Sequence, residues 1–322
     1  MIIGVLIISS RYNSNQSPQE NDNGTIADER LTRELDNDIA AAERFGLETY
    51  NTKDVVDELI FIEENILPLT ENTDKRILIT GSTAGLGQLT AKYLLERGYS
   101  VVVHARNEAR AEDAKRDLPD AEAVVIGDLS DLDQTIKLAS DMNQLGSFDV
   151  IIHNAGVYGV SSEEILNVNS LSPYILTSLI HKPKQLIYIT SDLHRGGELK
   201  LENMQRESPD ITYNDSKLQI LTFAMAVARK WPDVQVNAAR PGWVPTRMGT
   251  HNGPYAPDSL REGYMTQVWL AEGLEEDSQV TGAFFFHKEP ERNYNPDIHD
   301  IELQEALISA YENTTGILFP DN

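Results

Sequence analysis

The sequence predicts an α/β fold, doubly wound, with a mostly parallel central sheet of about seven strands and an N-terminal, mainly helical appendage. Three observations carry this. The chain changes character near Asn72–Lys75, from polar and acidic segments to a regular alternation of short apolar runs and amphipathic stretches. The apolar runs are rich in Val, Ile and Phe, and helices rather than tight turns separate them, the pattern of parallel strands covered on both faces. The first run, Ile77-Leu78-Ile79-Thr80, leads directly into a glycine-rich turn that opens a helix.

Taken in order, the predicted strands are 77–80, 100–104, 123–126, 150–153, 185–190, 235–239 and 283–286. The helices between them are 85–97, 108–116, 132–142, 163–179, 213–230 and 258–270. This is a Rossmann arrangement, assigned to residues 74–322 as one domain. Residues 1–73 form the appendage, of unknown role. Within it, 1–10 reads as a buried strand, 11–25 as loop, and 27–45 and 52–66 as acidic helices, the second stopped before Pro68. Val55, Val56, Leu59, Ile60 and Ile62 recur at helical spacing and require burial. They are expected to pack on the main domain or a second subunit, outside any ligand cleft.

Composition narrows the function. The 322 residues include 51 acidic and 27 basic side chains, a net charge of −24. Such a surface repels phosphate backbones and anionic lipid, which argues against nucleic acid and membrane partners. A solvated acidic shell and adaptation to a saline cytoplasm both fit it. With no cysteine, disulfides, thiolate catalysis and Cys-ligated zinc are excluded. The seven histidines show no metal-ligand spacing, so no metal site is expected. No apolar run reaches the ~20 residues of a membrane span, and the first ten residues lack the basic start and small-residue cleavage site of a secretion signal. The expected location is cytoplasmic.

The turn reads Thr80-Gly81-Ser82-Thr83-Ala84-Gly85-Leu86-Gly87. Gly81 permits a tight turn, Gly85 lets backbone approach a pyrophosphate, and Gly87 lets the new helix pack closely. Ser82, Thr83 and Leu86 between them belong to the same cofactor-binding stretch. Eighteen positions after Gly87, at the end of the second strand, the chain reads His104-Ala105-Arg106-Asn107. An acidic residue here would bond a ribose 2′-hydroxyl; instead Arg106 can pair with a 2′-phosphate. NADP(H) is therefore the expected cofactor, with NAD possible, and His104, Arg106 and Asn107 are counted in its site. Tyr213 and Lys217, four apart, share one helix face, where the ammonium could lower the phenol's pKa and ready it for proton exchange.

Several motifs in order make the chain resemble the short-chain dehydrogenase/reductase family from about Lys75 to Pro320. They are the turn Thr80–Gly87, Asp128-Leu129 after the third strand, Asn154-Ala155-Gly156, Asn169, Ser191, the Tyr213/Lys217 pair, and Pro241-Gly242-Trp243-Val244-Pro245-Thr246. Ser191-Asp192-Leu193-His194 and the long interval from Ser191 to Tyr213 resemble the retinol-dehydrogenase-like and protochlorophyllide-reductase-like branch. His153 departs from the family, which often has Asn before Asn-Ala-Gly, and Ala84 is not the basic residue of some NADP members.

The resemblance implies Asn169, Ser191, Tyr213 and Lys217 as catalytic residues. It adds Asp128, Leu129, Asn154, Ala155, Gly156, Tyr213, Lys217, Pro241, Gly242, Val244 and Thr246 to the cofactor-binding residues of the turn. It assigns Asn154 a mainly structural role and has Asn169 hold a water linking Lys217 to solvent. The expected reaction interconverts a small-molecule carbonyl, ketone or aldehyde, and its alcohol by hydride transfer. Tyr213 serves as general acid or base. A non-catalytic NADP-binding sensor or scaffold is the rival reading; the complete Asn/Ser/Tyr/Lys set speaks against it. The family's habit makes a homo-oligomer possible.

Overall fold

Short runs of aliphatic and β-branched side chains build the sheet, because a strand covered on both faces must be apolar at every position. In the computed structural model, which describes residue 40 and residues 43–71, 74–205 and 208–320, the strands are β1 (Arg76–Ile79), β2 (Ser100–Ala105), β3 (Ala123–Ile126), β4 (Val150–His153), β5 (Gln185–Ile189), β6 (Gln235–Arg240), β7 (Ala283–Phe286) and β8 (Glu289–Pro290). Their order is β3-β2-β1-β4-β5-β6-β7-β8. The pairs β1 to β7 are parallel; β8, two residues long, is the one addition to the predicted strands and closes the edge antiparallel. The strand order reverses between β1 and β4, and a doubly wound sheet opens its ligand crevice at that point.

Alternation along β1 divides the core. Ile77 and Ile79 point to one face with Val101, Val103 and Ile152, whereas Leu78 joins Val102 and Ile151 on the other. The second face carries an aromatic cluster in which Tyr174, Phe223, Tyr311 and Phe319 pack edge to face or tilted. Tyr311 and Phe319 come from a C-terminal helix (Ile301–Thr315) and the tail after it, elements absent from the predicted set.

The helix at Lys53–Asn65, α1, starts at Thr52, whose side chain accepts from the Val55 N–H. Its buried Val55, Val56, Leu59 and Ile62 join Leu89 and Leu94 of α2 (Gly85–Glu96) on the first face. Each such side chain contributes roughly 1.5–3 kcal/mol on burial. Glu58 ties the same helix to the opposite end of the chain, accepting from Arg261 at 2.7 Å and from the Tyr264 hydroxyl at 2.7 Å. Residues 53–65 are thus continuous with the core of the domain. The expectations for 1–10, for 11–25 and for most of 27–45 lie outside the described residues.

Candidate active site

The glycine turn is held from below by buried polar groups. The Gly81 N–H donates to His104 Nδ1 at 3.0 Å, and His104 Nε2 lies 2.9 Å from the Gly127 carbonyl. His104 is therefore the Nε2–H tautomer, and full burial holds its pKa below the ordinary histidine value. Ser82 is buried beneath the turn, where its hydroxyl donates to the Ile79 carbonyl and accepts from the His104 N–H. Gly85 has φ +55°, and a Cβ there would project toward Thr246 at 3.6 Å, across the mouth of the crevice. At Gly87 a Cβ would collide with the Gly81 carbonyl and the Asn154 side chain, so helix and turn meet only because no side chain intervenes.

Asn154 braces the same turn. Its Nδ2 donates to the Thr80 carbonyl at 3.0 Å and the Gly81 carbonyl at 3.2 Å, which accords with the structural role the resemblance implies. His153 just before it is buried, stacked on Tyr188, and held down to about 3 by desolvation. Asn107 accepts from the Arg110 N–H at 3.0 Å and caps α3 (Glu108–Asp117). Unlike Gly81, Thr83, His104 and Arg106, neither Ser82 nor Asn107 lines the crevice.

The crevice is a cavity of about 610 Å³ above the switch point. Gly81, Thr83, Gly85, Leu86, Gly87, His104 and Arg106 line one side of it. Asp128, Leu129, Asn154, Ala155 and Gly156 line another, and Tyr213, Lys217, Pro241 and Thr246 close the far end. A second cavity of about 570 Å³ adjoins it, lined by Tyr158, Ser191, Asp192, Leu193, Gly242, Trp243 and Val244 among others. Leu86, Thr190, Tyr213, Pro241, Thr246 and Met248 border both.

Tyr213 sits at that junction because its helix begins there. Thr212 and Asp215 form a reciprocal capping box, with Asp215 Oδ2 accepting from the Thr212 N–H at 2.8 Å and Thr212 Oγ1 from the Asp215 N–H at 3.3 Å. The helix Tyr213–Lys230 places Lys217 one turn further on. Lys217 is buried, donates to the Ile189 carbonyl at 3.1 Å, and is lowered by desolvation to about 8. Its ammonium lies 5.5 Å from the Tyr213 ring centroid. Tyr213 is half-buried, its ring edge-on to Tyr158 at 5.1 Å. Desolvation of the phenol pushes it up to about 12, against a lowering hydrogen bond with Ser191. The sequence suggested that the ammonium would depress the phenol. Burial is the largest influence on the phenol and the net shift is upward, the reverse of that expectation.

Asn169 lies in a π-helical turn, Asn167–Leu171, that interrupts the single helix expected over 163–179. Its Oδ1 accepts from the Val157 N–H at 2.8 Å, and its Nδ2 donates to the Val157 carbonyl and Ser216 Oγ at 3.0 Å each. Both amide protons are thereby committed to protein, and the side chain clamps the loop after β4, with a second lone pair left on Oδ1. Lys217 Nζ and Asn169 Oδ1 both border Gly156, at 3.3 and 3.4 Å from where its Cβ would be. Ser191, at the end of β5, accepts from the Leu193 N–H at 3.3 Å.

Several lining residues escaped the sequence reading. Tyr158 follows Asn-Ala-Gly by two positions and Arg110 follows Arg106 by one helical turn, so proximity to known motifs was the available signal. Thr49 and Tyr50, from the appendage to which no role was assigned, also line it; no motif marks them.

These residues fit a dinucleotide. A side-chain-free cradle opens the helix, and Arg106, Arg110 and the Tyr213 phenol all line the same cavity. The comparisons agree. A family model described as short chain dehydrogenase matches residues 75–182. An oxidoreductase of Emericella nidulans without an assigned substrate is 40% identical over 258 residues, covering 76% of this chain and 98% of its own. Retinol dehydrogenase 14 of mouse is 31% identical over 291 residues, covering 76% of this chain and 86% of its own. Among solved structures, an NADPH-bound carbonyl reductase from chicken fatty liver aligns with TM-score 0.54 at 19% identity, over 67% of this chain and 98% of its own. The chain belongs to the short-chain dehydrogenase/reductase family, nicotinamide-dependent oxidoreductases acting on CH–OH and C=O groups.

Proposed function

We propose that the protein reduces a ketone or aldehyde to the alcohol with NADPH, and that Tyr213 is the general acid. The observation that carries this is the place of Tyr213: it borders both cavities, with the Lys217 ammonium 5.5 Å from its ring centroid. When bound, the nicotinamide supplies the hydride to the carbonyl carbon. The carbonyl oxygen, taking the electron pair of the broken π bond, receives the Tyr213 proton. Ser191, on the wall of the second cavity, donates a hydrogen bond to the same oxygen and steadies it during transfer. The phenolate left behind is offset by the Lys217 ammonium, whose lowered value of about 8 suits it to pass a proton on.

NADP is favoured over NAD by Arg106, which lines the crevice and has no ion-pair partner among the described residues, and by Ala105 standing where a carboxylate would repel a 2′-phosphate. The chicken carbonyl reductase that shares the fold holds NADPH, which lends support of a general kind. A scaffold role would leave the cavity beside Tyr213 without a use.

The test is Tyr213→Phe, which keeps the ring and removes the proton. Screened on ketones and aldehydes with NADPH, turnover should fall at least ~10²-fold while NADPH still binds in a fluorescence titration. A variant that turns over near the wild-type rate refutes the assignment.

A further inference from the structure

The segment ahead of the first strand reaches the wall of the crevice that Arg110 also lines, and it does so through a buried network. Asn51 is fully buried with its carboxamide spent on the neighbourhood of the turn. Its Oδ1 accepts from the Gly85 N–H at 2.9 Å, and its Nδ2 donates to Gln88 Oε1 at 2.7 Å and to the Phe45 carbonyl at 2.9 Å. Next to it, the Tyr50 hydroxyl donates to the buried Asp117 at 2.8 Å and accepts from Arg116 at 2.7 Å, which locks the ring in place. Thr52 Oγ1 then donates to the Pro245 carbonyl at 2.6 Å, and Arg247 donates to the Glu48 carbonyl. The segment therefore spans from the glycine turn to the loop after β6, across the outside of the crevice.

The locked Tyr50 ring has one further contact. The Arg110 guanidinium stacks on it, 3.6 Å from the ring centroid, while Arg110 also bonds Asp113 at 2.6 Å and the Thr83 carbonyl of the turn. Arg110 lines the crevice together with Arg106. Two guanidiniums thus line one cavity, with Asp113 beside Arg110, in a chain of net charge −24, where cations are the minority. A planar guanidinium stacked on an aromatic face loses less freedom when it pairs with an anion than one on a free stem.

We propose that Tyr50 is a positioning residue for dinucleotide selection, holding Arg110 as a second cation, beside Arg106, for the 2′-phosphate of NADP(H). This rests on the NADPH reading above and adds to it that selectivity depends on a segment outside the region the relatives' family model matches.

The full-length chain is titrated with NADPH, NADH, 2′,5′-ADP and 5′-ADP, and each affinity is compared. Tyr50→Ala should weaken NADPH and 2′,5′-ADP about tenfold or more and leave NADH and 5′-ADP within about twofold. Tyr50→Phe, which keeps the stacking face, should retain the wild-type ratio of NADPH to NADH affinity. If Tyr50→Ala does not fold, Arg110→Gln reads the same ratio, with the same loss expected. Equal weakening of all four ligands, or no change in the ratio for either variant, overturns the positioning role while leaving the NADPH reading intact. A wild-type chain that binds neither NADPH nor 2′,5′-ADP overturns both.

Discussion

The two cavities that meet at Tyr213 are built by different means. The one beneath the glycine turn is walled by strand ends and by buried polar groups whose hydrogen bonds lead back into the fold: Asn154 to Thr80 and Gly81, His104 to Gly81 and Gly127, Asn51 to Gly85 and Gln88. The other is walled largely by a loop. Trp243 is 50% exposed, Met248 41% and Leu193 47%. The loop is tied largely to itself: the Trp243 N–H to Asp258 at 2.5 Å, the indole N–H to the Gly249 carbonyl, the Thr250 hydroxyl to the Thr246 carbonyl at 2.9 Å, and an edge-on contact with Tyr255. A ligand of constant shape can be met by backbone geometry, which tolerates little change. A ligand that varies among relatives is met by side chains on loops, which tolerate much.

Substitutions can break or sharpen that contrast. The largest effect is expected at Gly87, where a Cβ has no space; Gly87→Ala should cost about 1–3 kcal/mol in urea unfolding and displace the turn from its cofactor. An unchanged midpoint with full NADPH affinity would show that the turn is more pliant than its packing implies. Next is Arg106→Asp, which should weaken NADPH about tenfold or more and improve NADH, because a charge-assisted bond to phosphate becomes a repulsion. Equal or better wild-type affinity for NADH would count against the 2′-phosphate site.

The pH dependence of stability separates the regions too. His104 and His153 are both held neutral by burial, His153 down to about 3. Unfolded histidine takes a proton near 6.5, so their contribution is complete above that value and is lost as pH falls below it. Stability should drop by about 1.4 kcal/mol on account of His153 between pH 7.5 and 5.5, with His104 acting in the same direction. His153→Phe should flatten the slope, and an unaltered slope would mean that other groups carry it. The smallest effect belongs to the loop: Trp243→Ala should change stability by less than about 1 kcal/mol yet shift KM for a bulky ketone, as steady-state kinetics would show.

The same contrast governs how much could be read from the chain. The strands were legible because a covered parallel strand admits little but Val, Ile, Leu and Phe, and the cradle because Gly81, Gly85 and Gly87 fall between a strand and a helix. Tyr50 and Asn51 were not, since a contact between residues 51 and 85 leaves no local pattern. The rise of the Tyr213 phenol was missed for a related reason. A neighbour four positions away is visible in sequence, but the desolvation that raises the phenol comes from elements brought together by folding. The terminal helix at Ile301–Thr315 differs from both, because Leu303, Leu307, Ile308 and Tyr311 recur at helical spacing and the local signal for it is present in the chain.

The wide turn at Asn167–Leu171 bears on anyone who would redesign this chain. Its extra residue is a local irregularity, and a procedure that rewards regular helices would remove it by a one-residue deletion or by residues favouring the tighter pitch. Either change rotates the helix on one side of the turn by about 100° relative to the helix on the other. The Asn169 carboxamide would then leave Val157 and Ser216, and the neighbourhood of Gly156 and Lys217 would lose its clamp. A stabilised variant should therefore keep this flaw and seek its gains on the acidic outer surface.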